Sequence, residues 1–121
     1  MKKGLTVKTV GKAFKANDHK CQANKEIIDI LASAYMRARR RLAEETNGNY
    51  SYSNDVLHDS ERIVYHIDSV IDGMDDQYKY ILDNEVKLHK SGKWYLTYCS
   101  PTTYYRIREK AYQEFLNELD K

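Results

Sequence analysis

The residues best equipped for chemistry lie near the C-terminus, in the run Ser100-Pro101-Thr102-Thr103-Tyr104-Tyr105-Arg106-Ile107-Arg108-Glu109-Lys110-Ala111. A serine followed by a proline starts a helix abruptly. The serine side chain caps free N–H groups, and proline's fixed φ suits the first helical position. At about 100° per residue, Tyr104, Ile107, Ala111, Phe115 and Leu119 share one face. Thr102, Arg106, Lys110 and Gln113 share the opposite one, flanked by Thr103, Tyr105 and Glu109. Arginine forks onto guanine or clamps phosphate, and threonine meets a thymine methyl or a phosphate. The pattern predicts a DNA-reading helix, with Thr102, Thr103, Tyr105, Arg106 and Lys110 facing the major groove. The competing reading of the same pattern is a solvated amphipathic helix.

A second cationic group is Arg37, Arg39, Arg40 and Arg41. In helical projection Arg37 and Arg40 fall near an outer face, where they, with Lys93, would contact the phosphate backbone and add affinity without sequence information. Pairing of this cluster with nearby acids is the alternative.

Other constellations are weaker. His19 and Cys21 lie close together, but no second pair stands at zinc spacing, so no metal site is expected. His58, Asp59 and Glu61, and His66 with Asp68, read better as a helical solvent face than as a cation site. Asp72-Gly73-Met74-Asp75-Asp76 lacks the alternating oxygen ligands of a calcium loop. There is no phosphate-cradling glycine loop and no nucleophile elbow, and Cys99 with His89 reads as a structural thiol rather than a catalytic pair. No enzyme and no cofactor are expected.

These side chains need elements to hold them. The chain has 121 residues, 41% hydrophobic and 31% charged, enough for one domain with a modest core. One Pro and five Gly argue against a turn-rich β fold. Eleven Tyr against two Phe suit a thin core or a binding surface, because a tyrosine ring packs while its hydroxyl reaches water; the bias of an AT-rich genome explains them equally well. The N-terminus lacks the apolar run of a signal peptide and no apolar stretch is long enough to span a membrane. Cys21 and Cys99 are therefore expected as reduced thiols of a cytoplasmic protein.

The net charge of +2 hides segregation. Residues 1–50 carry 11 Lys/Arg against 5 Asp/Glu, residues 51–89 carry 3 against 9, and residues 90–121 carry 6 against 4. Such a chain presents a basic face to a polyanion, or packs its acidic middle against its basic first helix.

Residues 1–24 have no clear period among six lysines and read as a basic arm, with Leu5, Val7, Val10 and Phe14 available to dock it and at most a short hairpin in residues 1–14. A helix is predicted from about Lys25 to Glu45, capped by Asn24, with Ile27, Leu31, Ala34, Tyr35, Ala38 and Leu42 inward. A second, starting between Asn54 and Ser60 and ending at Asp72, buries Ile63, Val64, Ile67, Val70 and Ile71. A third covers about Asp75 to Lys87 through Tyr78, Ile81, Leu82 and Val86. Lys93 to Tyr98 reads as a short helix or a strand. The last helix runs from Pro101 to about Leu119. The expected fold is all-α: a basic arm over 1–24, then a four- to five-helix domain over 25–121.

Trp94 and Leu96 precede a tight Tyr98-Cys99-Ser100 connection, as a short helix packed across a second one requires. After them, Ser100, Thr103, Tyr104, Tyr105, Arg106, Arg108, Ala111 and Phe115 by themselves resemble the C-terminal motif of ArpU-type phage transcriptional regulators, which is similar to the promoter-binding domain 4 of sigma factors. The resemblance covers about residues 60–119; residues 1–50 match only in being basic and helical. The stretch Lys93 to Tyr98 departs from it, since the usual motif has Ile-Ala and small residues there. The resemblance implies a sigma-domain-4-like helix-turn-helix at about residues 91–119 and a small DNA-binding transcriptional regulator. Its partner would be double-stranded DNA, with RNA polymerase or another protein as further candidates and no membrane. The alternative is a non-enzymatic helical adaptor that keeps the helix-turn-helix as scaffold and binds a protein through its tyrosine-rich surface.

Overall fold

The computed structural model of the chain describes residues 17–121, with side chains from Asn24 onward. Four helices follow in order: α1 (Asn17–Thr46), α2 (Asn54–Asp72), α3 (Asp76–Leu82) and α4 (Pro101–Leu119). A π-helical turn (Asp83–Lys87) extends α3, and a 3-10 turn (Trp94–Thr97) precedes α4. No strand occurs among the described residues, so the chain is all-α, in one domain. The expectations for residues 1–16, and for the side chains of His19 and Cys21, lie outside the described residues.

Helix α1 begins at Asn17, not at Lys25, so the last part of the expected arm is helical. Asn24 is not a cap; it sits inside the helix and is buried. Residues 17–24 contain no Gly or Pro to stop a helix, and their polarity hides the turn from an apolar-period rule. The inward face is also offset from the expected one. Ile28, Ala32, Tyr35 and Ala38 are buried, Ile27 and Leu31 pack at the margin, and Ala34 and Leu42 are only half-buried. Adjacent isoleucines at 27 and 28 leave two registers open, and the packing of α1 on its neighbours selects the second.

Ser53 caps α2, its Oγ accepting from the Val56 N–H at 3.3 Å, and Gly73 closes the helix with its N–H on the Val70 carbonyl at 3.2 Å. Ile67 and Ile71 reach the deep core, with Ile63, Val64 and Val70 at its edge. The third helix ends near the expected residue but changes pitch. The Leu88 N–H bonds the Asp83 carbonyl at 3.0 Å, an i→i+5 closure that turns three successive residues, Asn84, Glu85 and Val86, inward. Asn84 Nδ2 donates to the Tyr80 carbonyl at 2.8 Å and supports the interrupted ladder.

Two clusters form the core. The larger joins Ile28 and Tyr35 of α1, Ile67 and Ile71 of α2, Leu82, Val86, and Ala111, Phe115 and Leu116 of α4. The smaller joins Ile81, Tyr95, Tyr104 and Ile107, with Trp94 and Cys99 against it. Helix α4 belongs to both: its second half anchors the large cluster and its first half covers the small one.

Three acids of the middle, Asp68, Asp72 and Asp83, pair with lysines of their own block rather than with the arginines of α1. Lys87 Nζ lies 3.3 Å from Asp68, 3.3 Å from Asp72 and 3.4 Å from Asp83, and Lys79 is 2.8 Å from Asp83. From α1, the Tyr35 hydroxyl donates to Asp68 at 2.6 Å, and Arg39 donates to that hydroxyl at 3.3 Å.

Candidate nucleic-acid interface

Helix α4 starts where the residue chemistry demands. Ser100 has extended backbone, and its Oγ accepts from the Thr103 N–H at 3.3 Å and donates to Thr103 Oγ1 at 3.1 Å. The N–H groups of Tyr98 and Cys99 both bond the Tyr95 carbonyl, at 2.8 and 3.0 Å, closing the turn that delivers the chain to Ser100. The Tyr95 ring stacks on Tyr104 with centroids 3.6 Å apart and planes 3° from parallel, which ties the 3-10 turn to the first turn of α4.

Beneath this junction lies a buried carboxylate. Glu85 accepts from the Trp94 indole N–H at 2.9 Å and from the hydroxyls of Tyr104 and Tyr112. Three donors from three places in the chain satisfy a charge that would be costly to bury alone. Burial first, then the adjoining Glu85 carboxylate, pushes the Tyr104 and Tyr112 hydroxyls well above the ordinary tyrosine range. The Arg108 guanidinium lies over the rings of Tyr105, Tyr112 and Tyr104, at 4.9, 5.2 and 5.7 Å from their centroids. Burial works against its charge, but Tyr112, Tyr104 and Glu85 outweigh burial and hold it protonated. Arg108 thus braces the junction. Its role was hidden from helical projection, and so was that of Glu85. One signal for the latter was present: Tyr78, Ile81, Leu82 and Glu85 stand at i, i+3, i+4 and i+7, which places an acid at a core position.

On the other side of α4, Thr102, Tyr105, Arg106 and Lys110 are exposed, and Lys93 is exposed just before the 3-10 turn. Thr103 is half-buried with its hydroxyl engaged by Ser100. Where a short helix or a strand was expected over Lys93 to Tyr98, the chain makes the 3-10 turn Trp94–Thr97. Arg37 and Arg40 are exposed on α1. No ion pair among the described residues engages Lys93, Arg106, Lys110, Arg37 or Arg40. The cations fall into two groups that the fold does not join. Arg37 and Arg40 lie on α1 near Tyr35 of the large cluster in sequence, whereas the first half of α4 covers the small one.

From Val86 to Arg108 there is no acidic residue, while Lys87, Lys90, Lys93, Arg106 and Arg108 supply positive charge and Trp94, Tyr95, Tyr98, Tyr104 and Tyr105 supply aromatic rings. Lys87 is engaged by acids and Arg108 by tyrosines, which leaves Lys90, Lys93 and Arg106 pointing their charge outward. Such a surface attracts a polyanion.

Among the described residues no three His, Cys, Asp or Glu side chains are grouped to hold a metal, and no helix is long and apolar enough to cross a membrane. No family model, no curated protein and no solved structure matches this chain.

Proposed function

We propose that this chain is a small DNA-binding regulator of transcription whose helix α4 enters the major groove of double-stranded DNA. The observation that carries the reading is the division of α4. Tyr104, Ile107 and Ala111 are buried, while Thr102, Tyr105, Arg106 and Lys110 form an exposed strip starting at a capped N-terminus. Helix-turn-helix proteins read bases with the N-terminal part of such a helix. The resemblance of Ser100 to Phe115 to the ArpU-type, sigma-domain-4-like motif points the same way, with Trp94–Thr97 as a shortened first arm. In this reading Arg106 and Thr102 reach base edges, Tyr105 and Lys110 flank them, and Lys93 meets the backbone. Thr103 supports the cap. Arg37 and Arg40 add phosphate contacts only where the DNA path extends along α1.

Fluorescence anisotropy against random duplexes at low salt, then at rising salt, tests the reading. Affinity should fall steeply with salt as counterions are released. Arg106→Ala should weaken a preferred site by about 1–3 kcal/mol and relax base choice there, whereas Arg40→Ala should weaken all duplexes alike and lower the salt slope by about one unit. Absence of duplex binding at low salt would instead leave α4 as scaffold and favour an adaptor that binds protein.

A further inference from the structure

Around the 3-10 turn the protein exposes large apolar side chains that its own core does not use: Tyr80 at 42%, Tyr98 at 39% and Leu96 at 52%. Two of them form a ledge. Tyr80 and Tyr98 lie with ring centroids 4.4 Å apart and planes 37° apart, and Tyr80 also meets Trp94 at 5.9 Å. Trp94 is pinned from below by its bond to Glu85 and from the side by the edges of Tyr95 and Tyr104, at 6.1 and 6.0 Å. Trp94 thus backs the Tyr80 end of the ledge before anything binds, which lowers the entropic cost of stacking on it. Neither the Tyr80 nor the Tyr98 hydroxyl has a hydrogen-bond partner among the described residues.

The charge around the ledge selects its occupant. Tyr98 and Leu96 belong to the acid-free tract, and the unpaired cations Lys90 and Lys93 precede them on the same loop. On the α3 side, Asp83 is held by Lys79 and Lys87, so Asp76, one turn before Tyr80, is the acid left nearest to it in sequence. Exposed π faces beside cations suit unpaired bases on a phosphate backbone, since stacking is tolerant of sequence and the cations follow the strand. Bases in an intact duplex keep their faces against one another and offer none to a ledge.

We propose that the Tyr80–Tyr98 ledge, with Lys90 and Lys93, binds single-stranded nucleic acid by stacking unpaired bases. The ledge extends the nucleic-acid reading of α4 but does not require α4 to enter a groove. A strand opened beside a bound duplex would be held at the ledge while the duplex stays on α4.

The full-length chain carries its own probe, because Trp94 is the single tryptophan and lies against Tyr80. Titration with an oligodeoxythymidine strand of about 12 nucleotides should quench Trp94 fluorescence, and the affinity should fall as salt rises. Tyr98→Ala and Tyr98→Leu should each weaken this binding about tenfold, and Tyr98→Phe should leave it unchanged. All three variants should bind a duplex like the parent, which also shows that they fold. Asp76→Asn should tighten single-strand binding. Duplex binding without single-strand binding would overturn the ledge and leave the proposed function standing. Single-strand binding without duplex binding would overturn the function of α4 and leave the ledge. Equal single-strand affinity in Tyr98→Leu and the parent would overturn stacking, as would concentration-dependent dimerisation lost in Tyr98→Ala, which would assign the ledge to a second copy of the chain.

Discussion

The large cluster and the small one are held together by different physics. In the first, Ile28, Ile67, Ile71, Leu82, Phe115 and Leu116 bury aliphatic and aromatic surface from all four helices, and the hydrophobic effect alone accounts for their position. In the second, a stacked Tyr95–Tyr104 pair, Trp94 and Ile81 rest over the Glu85 carboxyl group, whose hydrogen bonds hold Trp94 and Tyr104 and reach across to Tyr112 of the large cluster. Apolar burial is non-directional and tolerates small shifts. A carboxylate with three donors does not. The cluster that must hold the first half of α4 and the 3-10 turn in a set relation is the one built on directional bonds, and the exposed cations and rings surround it.

Phe115→Ala breaks the comparison most directly. Phe115 is fully buried in the large cluster, and its truncation should cost about 3–5 kcal/mol in a denaturant titration. A loss under about 1 kcal/mol would mean that the large cluster does not carry the fold. Glu85→Gln sharpens the contrast. It keeps size and removes charge, so one of three donors loses an acceptor, and the cost should be about 1–3 kcal/mol with Trp94 fluorescence shifted in the folded protein. An unchanged emission spectrum would separate the indole from Glu85 and sink the directional account.

Alkaline titration reads the Glu85 network by slope, since Tyr104 of the small cluster and Tyr112 of the large one meet at that carboxyl group. Tyr104 and Tyr112 have folded-state pKa values raised above the unfolded value of about 10. Their contribution is fully present below that pH. Above it the unfolded chain releases protons that the folded chain retains, so stability falls as pH rises. A Tyr104→Phe, Tyr112→Phe double variant should show a shallower decline above pH about 10, whatever its stability at neutral pH. Tyr35, raised by burial and by Asp68, should keep some of the decline in place. An identical slope would place the ionising groups elsewhere. The smallest effect has the opposite sign. The Ser60 hydroxyl is buried in α2 with no hydrogen-bond partner among the described residues, so Ser60→Ala should stabilise the protein by about 1 kcal/mol, read as a raised melting temperature.

What the sequence determined by itself is local. The serine–proline start of α4, its run to Leu119, the extent of α2 and the all-α class follow from caps, breakers and three- and four-residue spacing, all of which act within one or two turns. So does the outward strip Thr102, Arg106 and Lys110, because the apolar residues of α4 leave it no other face. The tertiary structure decided what neighbours on other helices impose. Ile28 rather than Ile27 points into the deep core because α2 packs on that side of α1. Asn24 is interior because a polar helix continues past it. The core position of Glu85 was legible in its spacing from Tyr78, but its donors come from 9, 19 and 27 residues away, a distance over which no periodic pattern carries information. The π-helical turn that aims Glu85, the inward turn of Arg108 and the meeting of Tyr80 with Tyr98 were illegible for the same reason: hydrogen bonds and ring contacts are short-ranged in space, and only the folded chain sets which residues come within that range.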